Sequence, residues 1–134
     1  MKIPSHLANF LSILKISLNA KLPNFSVIYS NQIFSILTLF FNLGYIQGFL
    51  PDSALKTIKV FLFYSFNSSP IRSCFLISKP SRRFYIKFTH LKKNKLNNFL
   101  YKNGFVIYST SQGYMTDVEA LILGIGGEPV LFID

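Results

Sequence analysis

"GFVIYSTSQGYMTDVEALILGIGGE", Gly104 to Glu128, is the stretch on which the reading of this chain turns. An apolar run, Phe105-Val106-Ile107, leads into three adjacent hydroxyl residues, Ser109, Thr110 and Ser111, then Gln112 and Gly113. β-Branched and aromatic content makes "FVIYS" a strand, and the small polar residues after it a turn. Thr116 and Glu119 form the S/T-x-x-E pattern of a capping box, which opens a short helix, "VEALIL", stopped at Gly124. "GIGGE" is a tight loop, and "PVLFI" is the last strand.

Hydroxyls packed this densely at a strand end serve a nucleophile, a turn or a ligand. A nucleophilic serine needs a base within hydrogen-bond reach and a third group to orient that base. The chain has only His6 and His90, few acids, and no G-x-S-x-G elbow around "YSTSQGY", so hydrolase chemistry is set aside. The residues alone leave two readings open. The hydroxyls satisfy local backbone groups, or they grip a ligand rich in acceptors such as RNA.

The residues upstream favour an anionic ligand. Net charge is +9, and all five acids lie at Asp52, Asp117, Glu119, Glu128 and Asp134. The interval Ser53 to Thr116 is therefore free of acids, and eight of the fourteen cations fall at Lys79, Arg82, Arg83, Lys87, Lys92, Lys93, Lys95 and Lys102. Phe84 and Tyr85 interleave with them, offering rings to sugars and bases. "SCFLIS" and "RRFYIKF" read as strands joined by the "KPS" turn, and "LKKNKLNNFLYKNG" as a lysine-rich helix. In a strand only one of Arg82 and Arg83 points outward. The lysines of the helix serve equally as a solvated face.

The first half alternates helix and strand. A helix from Ser5 to Asn19 has the seam Leu7, Phe10, Leu11, Leu14 and Leu18, and "NFSVIYS" follows as a strand. A second helix carries Ile33, Ile36, Leu37, Phe40 and Phe41 on one face, with Asn31, Ser35, Thr38 and Asn42 opposite, and ends at Gly44. "YIQGF" is a short extended piece, Pro51-Asp52-Ser53 a turn, and "KTIKVFLFYSF" a strand buried on both faces after Lys59. "NSSP" marks a boundary. The expected architecture is α+β, with an N-terminal α/β domain over 1–69 packed on a β-rich domain over 70–134.

Hydrophobic residues make up 50% of the chain, which raises the alternative of a small membrane-associated organellar protein inserted through 33–50. The polar stripe of the second helix argues against it. The N-terminus lacks an uninterrupted apolar core and arginines, so neither a signal peptide nor a transit peptide is expected. Single Cys74 excludes an internal disulfide and a multi-thiolate metal site, and no cofactor or metal is expected. The abundance of Phe, Ile, Asn, Lys and Tyr matches the codon bias of A+T-rich organelle genes.

"SKPSRRFYI" (Ser78 to Ile86), "GFVIYSTSQGYMTD" (Gly104 to Asp117) and "GIGGE" (Gly124 to Glu128), in this order and spacing, resemble the universal small-subunit ribosomal protein S-eight family. "LANFLSILK" (Leu7 to Lys15) and "LGYIQGF" (Leu43 to Phe49) are similar to its first helix and to the segment after its second. The resemblance implies a non-enzymatic structural protein that binds the central domain of small-subunit rRNA and supports subunit assembly beside neighbouring ribosomal proteins, with no small-molecule substrate. Ser109, Thr110 and Ser111 carry over as the principal RNA contacts, with Gln112, Gly113, Gly126, Gly127 and Glu128 on the same surface. Lys79, Arg82, Arg83, Tyr85 and Lys87 carry over to the basic region, and Asn9 and Lys15 to the first helix. Ser81, Gln112, Ile13, Ile16, Phe75 and Leu76 depart from the family pattern, mostly by replacing glycine or polar and basic residues. These departures suggest fewer phosphate contacts and more apolar packing. The expected location is the mitochondrial ribosome, with the plastid as the alternative, and binding to a regulatory mRNA would use the same surface.

Overall fold

A computed structural model describes residues 6–77, 85–90 and 104–134. The chain divides into two compact units, Met1–Ile71 and Arg72–Asp134, and the architecture is α+β.

In the first unit, helix α1 (His6–Asn19) and strand β1 (Asn24–Ile28) are followed by helix α2 (Asn31–Leu43). Strands β2 (Gly48–Asp52) and β3 (Thr57–Phe61) then complete a three-stranded antiparallel sheet in the order β1-β3-β2. The helical periodicity is realised almost position by position. Leu7, Phe10, Leu11 and Leu14 of α1 are buried, as are Ile33, Ile36, Leu37 and Phe40 of α2. Phe10 is the hub of this core, its ring 6.2 Å from Phe25 and 6.3 Å from Phe40. Ser17, not Leu18, closes the buried side of α1, and Phe41 stays half exposed at the rim of α2.

On the polar side of α2, Ser35 and Thr38 donate to the carbonyls of Asn31 and Phe34, so the helix satisfies its own hydroxyls. Gly44 caps it in the left-handed conformation. The stretch proposed to enter a membrane, 33–50, is thus most of a 13-residue helix, a turn and most of a strand. A helix of that length rises only about 20 Å. No helix among the described residues is long and apolar enough to cross a membrane.

Two strand expectations are corrected. Residues 48–52, including Pro51 and Asp52, form an edge strand; the turn falls at 53–56, where Asp52 accepts from the backbone N–H groups of Ala54 and Leu55. Pro51 is tolerated because an edge strand has one side without ladder bonds. The long buried strand expected over "KTIKVFLFYSF" ends at Phe61. Beyond it Leu62 is buried, but Phe63 is exposed and Phe66 entirely so. The Tyr64 hydroxyl donates to the Leu22 carbonyl at 2.7 Å, and burial raises its pKa, which keeps the phenol protonated and donating. Ser65 and Ser68 exchange two backbone bonds around Phe66 and Asn67, whose φ values are 53° and 63°. That is a two-residue turn of the type I′ kind, which apolar patterning does not reveal.

The second unit is a four-stranded antiparallel sheet in the order β4-β7-β5-β6, from β4 (Cys74–Leu76), β5 (Phe105–Thr110), β6 (Gly113–Thr116) and β7 (Glu128–Ile133). Helix α3 (Asp117–Leu123) lies between β6 and β7 in sequence. Its hydroxyl cap is in place, with Thr116 accepting from the Glu119 N–H at 3.3 Å. Val106, Tyr108, Met115, Ala120 and Phe132 form a buried cluster on the α3 side of the sheet. Cys74 is buried and is not in a disulfide.

The second strand expected in this unit, "RRFYIKF", is not a ladder strand over its described part. Ile86 makes a single antiparallel bridge to Gly127, and residues 88–90 are already helical. The lysine-rich helix expected ahead of Gly104, over 91–103, lies outside the described residues.

Phe66 is strained at positive φ and contributes no burial. Phe66→Gly should therefore raise unfolding stability by up to about 1 kcal/mol, the left-handed penalty less the added chain entropy of glycine. Urea denaturation of both proteins measures this, and an unchanged or lower midpoint would contradict the turn assignment.

Candidate nucleic-acid interface

The hydroxyl stretch is the tip of the β5–β6 hairpin. Thr110 faces Gly113 across the ladder, with Ser111 and Gln112 as the two turn residues. Gly113 takes φ 108°, a conformation that a side chain would strain. Thr110 holds the turn by itself: its hydroxyl donates to the Gly113 carbonyl at 2.8 Å and accepts from the Gln112 N–H at 3.2 Å. The side chains of Ser109, Ser111 and Gln112 make no hydrogen bond to another described residue. The two open readings of the peptide thus apply to different residues, since Thr110 satisfies the backbone while its neighbours keep free donors.

A β-bulge sets what lies beside the tip. Pro129 has no N–H to give to the ladder, and the β5–β7 register shifts between Ile107, opposite Leu131, and Tyr108, opposite Pro129. The shift brings Glu128 opposite Ser109, and Ser109 is opposite Tyr114 on its other side. Cross-strand partners share a face, so Tyr114, Ser109 and Glu128 form one row. Tyr108 and Met115, one position along their strands, belong to the buried cluster under α3. The row therefore occupies the opposite face of the sheet.

Gly126 and Gly127 bring a third segment to this edge. Ile86 and Gly127 exchange backbone bonds of 2.9 and 3.0 Å. A Cβ on Gly127 would lie 2.6 Å from the Ser109 carbonyl oxygen and 2.8 Å from Thr110 Cγ2. A Cβ on Gly126 would strike the Ile86 carbonyl oxygen and come within 2.8 Å of the Phe88 nitrogen. No side chain fits at either position without moving backbone. Ile86 packs against the buried cluster, so alternation around the bridge directs Tyr85 and Lys87 to the face of Glu128 and Ser109. Tyr85 is 68% exposed and Lys87 is exposed. With Ile86 and His90 they line an open cleft of about 310 Å³.

The sequence-derived site residues are thus distributed unevenly. Ser109, Thr110, Ser111, Gln112, Gly113, Gly127, Glu128, Tyr85 and Lys87 come together at one end of the second unit, and Gly126 fixes the segment behind them. Lys79, Arg82 and Arg83 lie outside the described residues. Asn9 and Lys15 are exposed on α1, in the first unit. Tyr114 and His90 are the additions. Tyr114 was visible only as the residue after a turn glycine, and its place beside Ser109 depends on hairpin register. In the sequence His90 is one of two isolated histidines, without the partners of a catalytic base or of a metal site. The assembly offers hydroxyl and amide donors, an exposed aromatic ring and a cation, a set suited to phosphate, sugar and base and not to covalent chemistry.

The model of the family described as Ribosomal protein S8 matches residues 5–133. The chain is 39% identical over 132 residues to the small ribosomal subunit protein uS8m of Acanthamoeba castellanii, covering 97% of this chain and 99% of that protein. It is 32% identical over 135 residues to the small ribosomal subunit protein uS8 of Dictyoglomus thermophilum, covering 99% of each. The uS8 of Mycoplasmopsis agalactiae is 38% identical over 107 residues, 78% of each chain. Hairpin tip, glycine-held edge and near full-length similarity agree: the chain belongs to the ribosomal protein S8 family, as a structural constituent of the small ribosomal subunit.

Proposed function

We propose that this protein is a non-enzymatic rRNA-binding component of a mitochondrial small ribosomal subunit, and that it grips the central domain of small-subunit rRNA through the Ser109–Gly113 tip. The observation that carries this is a rigid turn with its free donors turned outward. Thr110 fixes the backbone, while Ser109, Ser111 and Gln112 keep donor groups that no other described residue engages. Tyr85 adds a ring for a base or sugar, and Lys87 adds charge beside it. Lys79, Arg82 and Arg83 extend the positive charge in sequence, and Asn9 and Lys15 supply a secondary contact from α1. Glu128 accepts bonds from loop donors or a base edge and does not meet phosphate. The mitochondrial placement rests on the likeness to the uS8m of Acanthamoeba castellanii and on the A+T-type composition. The neighbours in the subunit are other ribosomal proteins.

Binding of the full chain to a central-domain rRNA fragment tests the reading. With about four to six phosphate contacts, raising salt from 50 to 200 mM should weaken binding by roughly two or more orders of magnitude. A flat salt response would oppose the electrostatic mechanism.

Ser109→Ala and Ser111→Ala should each weaken RNA binding by about 1 kcal/mol, more where the acceptor is a charged phosphate, with thermal stability unchanged. Equal affinity of the double variant and the parent, measured by filter binding, would remove the tip from the interface.

Gly127→Ala forces its methyl group into the Ser109 carbonyl and should destabilise the second unit by about 1–3 kcal/mol. RNA affinity should fall even at temperatures where the variant remains folded. Denaturation and binding curves on the same preparation separate the two effects.

A further inference from the structure

Helix α3 divides cleanly into two sides. Ala120 is fully buried and Asp117 nearly so, and Leu121 packs against the cluster under the sheet. Val118, Glu119, Ile122 and Leu123, spaced i, i+1, i+4 and i+5, form the outer side. On it Ile122 is 78% exposed, Leu123 53% and Val118 37%. In a chain of net charge +9, this face carries no cation, and its one exposed charge is the carboxylate of Glu119. Three side chains without a donor and one anion give a phosphate backbone nothing to bind and something to repel it. The face also lies on the side of the sheet opposite the row Tyr114, Ser109 and Glu128, so RNA held at that row leaves it uncovered.

We propose that the outer side of α3 is a docking surface for a neighbouring protein of the same subunit, one that presents an apolar patch with a lysine or arginine at its edge. The apolar patch covers Val118, Ile122 and Leu123, and the cation meets Glu119. Charge selects the occupant. RNA is disfavoured by sign. A second copy of this face would set carboxylate against carboxylate, so self-association is disfavoured as well. The inference rests on the ribosomal reading, because it takes the partner from the same particle.

The test uses the full chain assembled into small subunits, with a benzophenone-bearing amino acid in place of Ile122. This solvent-facing position tolerates replacement without repacking the core. Co-sedimentation with the subunit is scored first, and irradiation follows. The expected result is an adduct to another ribosomal protein, mapped to an apolar peptide that contains Lys or Arg. Adding Leu123→Gln should lower the yield about five-fold or more, and Glu119→Gln about two- to five-fold. Incorporation followed by an adduct to rRNA alone, to a second copy of this chain, or to nothing would overturn the docking surface and leave the RNA reading intact. A chain absent from the subunit would overturn the ribosomal reading, and this inference with it.

Discussion

Two adjacent glycines near the end of the chain set the geometry on which the interface depends. Backbone meets backbone where Gly126 and Gly127 pass between the segment Ile86–Phe88 and the strand end Ser109–Thr110, and no side chain fits in that space. The two hydrogen bonds between Ile86 and Gly127 close the edge. Without them Tyr85 and Lys87 would have no fixed relation to the hairpin tip. Pro129 reinforces the arrangement because its missing N–H coincides with the register shift that puts Glu128 beside Ser109. Backbone packing supplies this precision, and the side chains that face a ligand are the outcome of it.

Within the tip, one hydroxyl is internal and two are external. Thr110 both donates and accepts inside the turn. A hydroxyl has one proton, so Thr110 cannot also donate to phosphate while it holds the Gly113 carbonyl. Its function is to make the turn stiff before a ligand arrives, which lowers the ordering entropy lost on binding. Ser109 and Ser111 then act as donors on a prepared surface.

Three of the positions read in the sequence as departures from the family pattern, Ile16, Phe75 and Leu76, are apolar and keep solvent contact. Ile16 is 65% exposed on α1, and Phe75 remains 43% exposed although its ring stacks 5.1 Å from Phe132. Leu76 is half-buried, so the pair is not absorbed by the chain's own core. Together with the outer side of α3, these positions give a cationic protein several apolar surfaces that carry no cation. Such surfaces are at a disadvantage against water and at an advantage inside a crowded particle, where a neighbouring protein removes them from solvent.

Much of this protein was legible in its residues. Period-3.6 seams placed α1 and α2, the Thr116 cap placed α3, and the run ending in Ser109-Thr110-Ser111 marked β5 and the turn after it, though not the partner strand β6, because each signal is local and is set by neighbours a few residues apart. Three features were not legible. The strand expected from Lys56 to Phe66 stops at Phe61, and its last residues run into a mirror-image turn at Phe66-Asn67 that apolar patterning does not announce. Over its described part, the strand expected around Ile86 is a single bridge, whose partner lies some forty residues away at Gly127. The row Tyr114, Ser109 and Glu128 depends on register across three strands. Local chemistry determined which groups the protein has to offer; which of them share a face was decided only when distant backbone segments closed on one another.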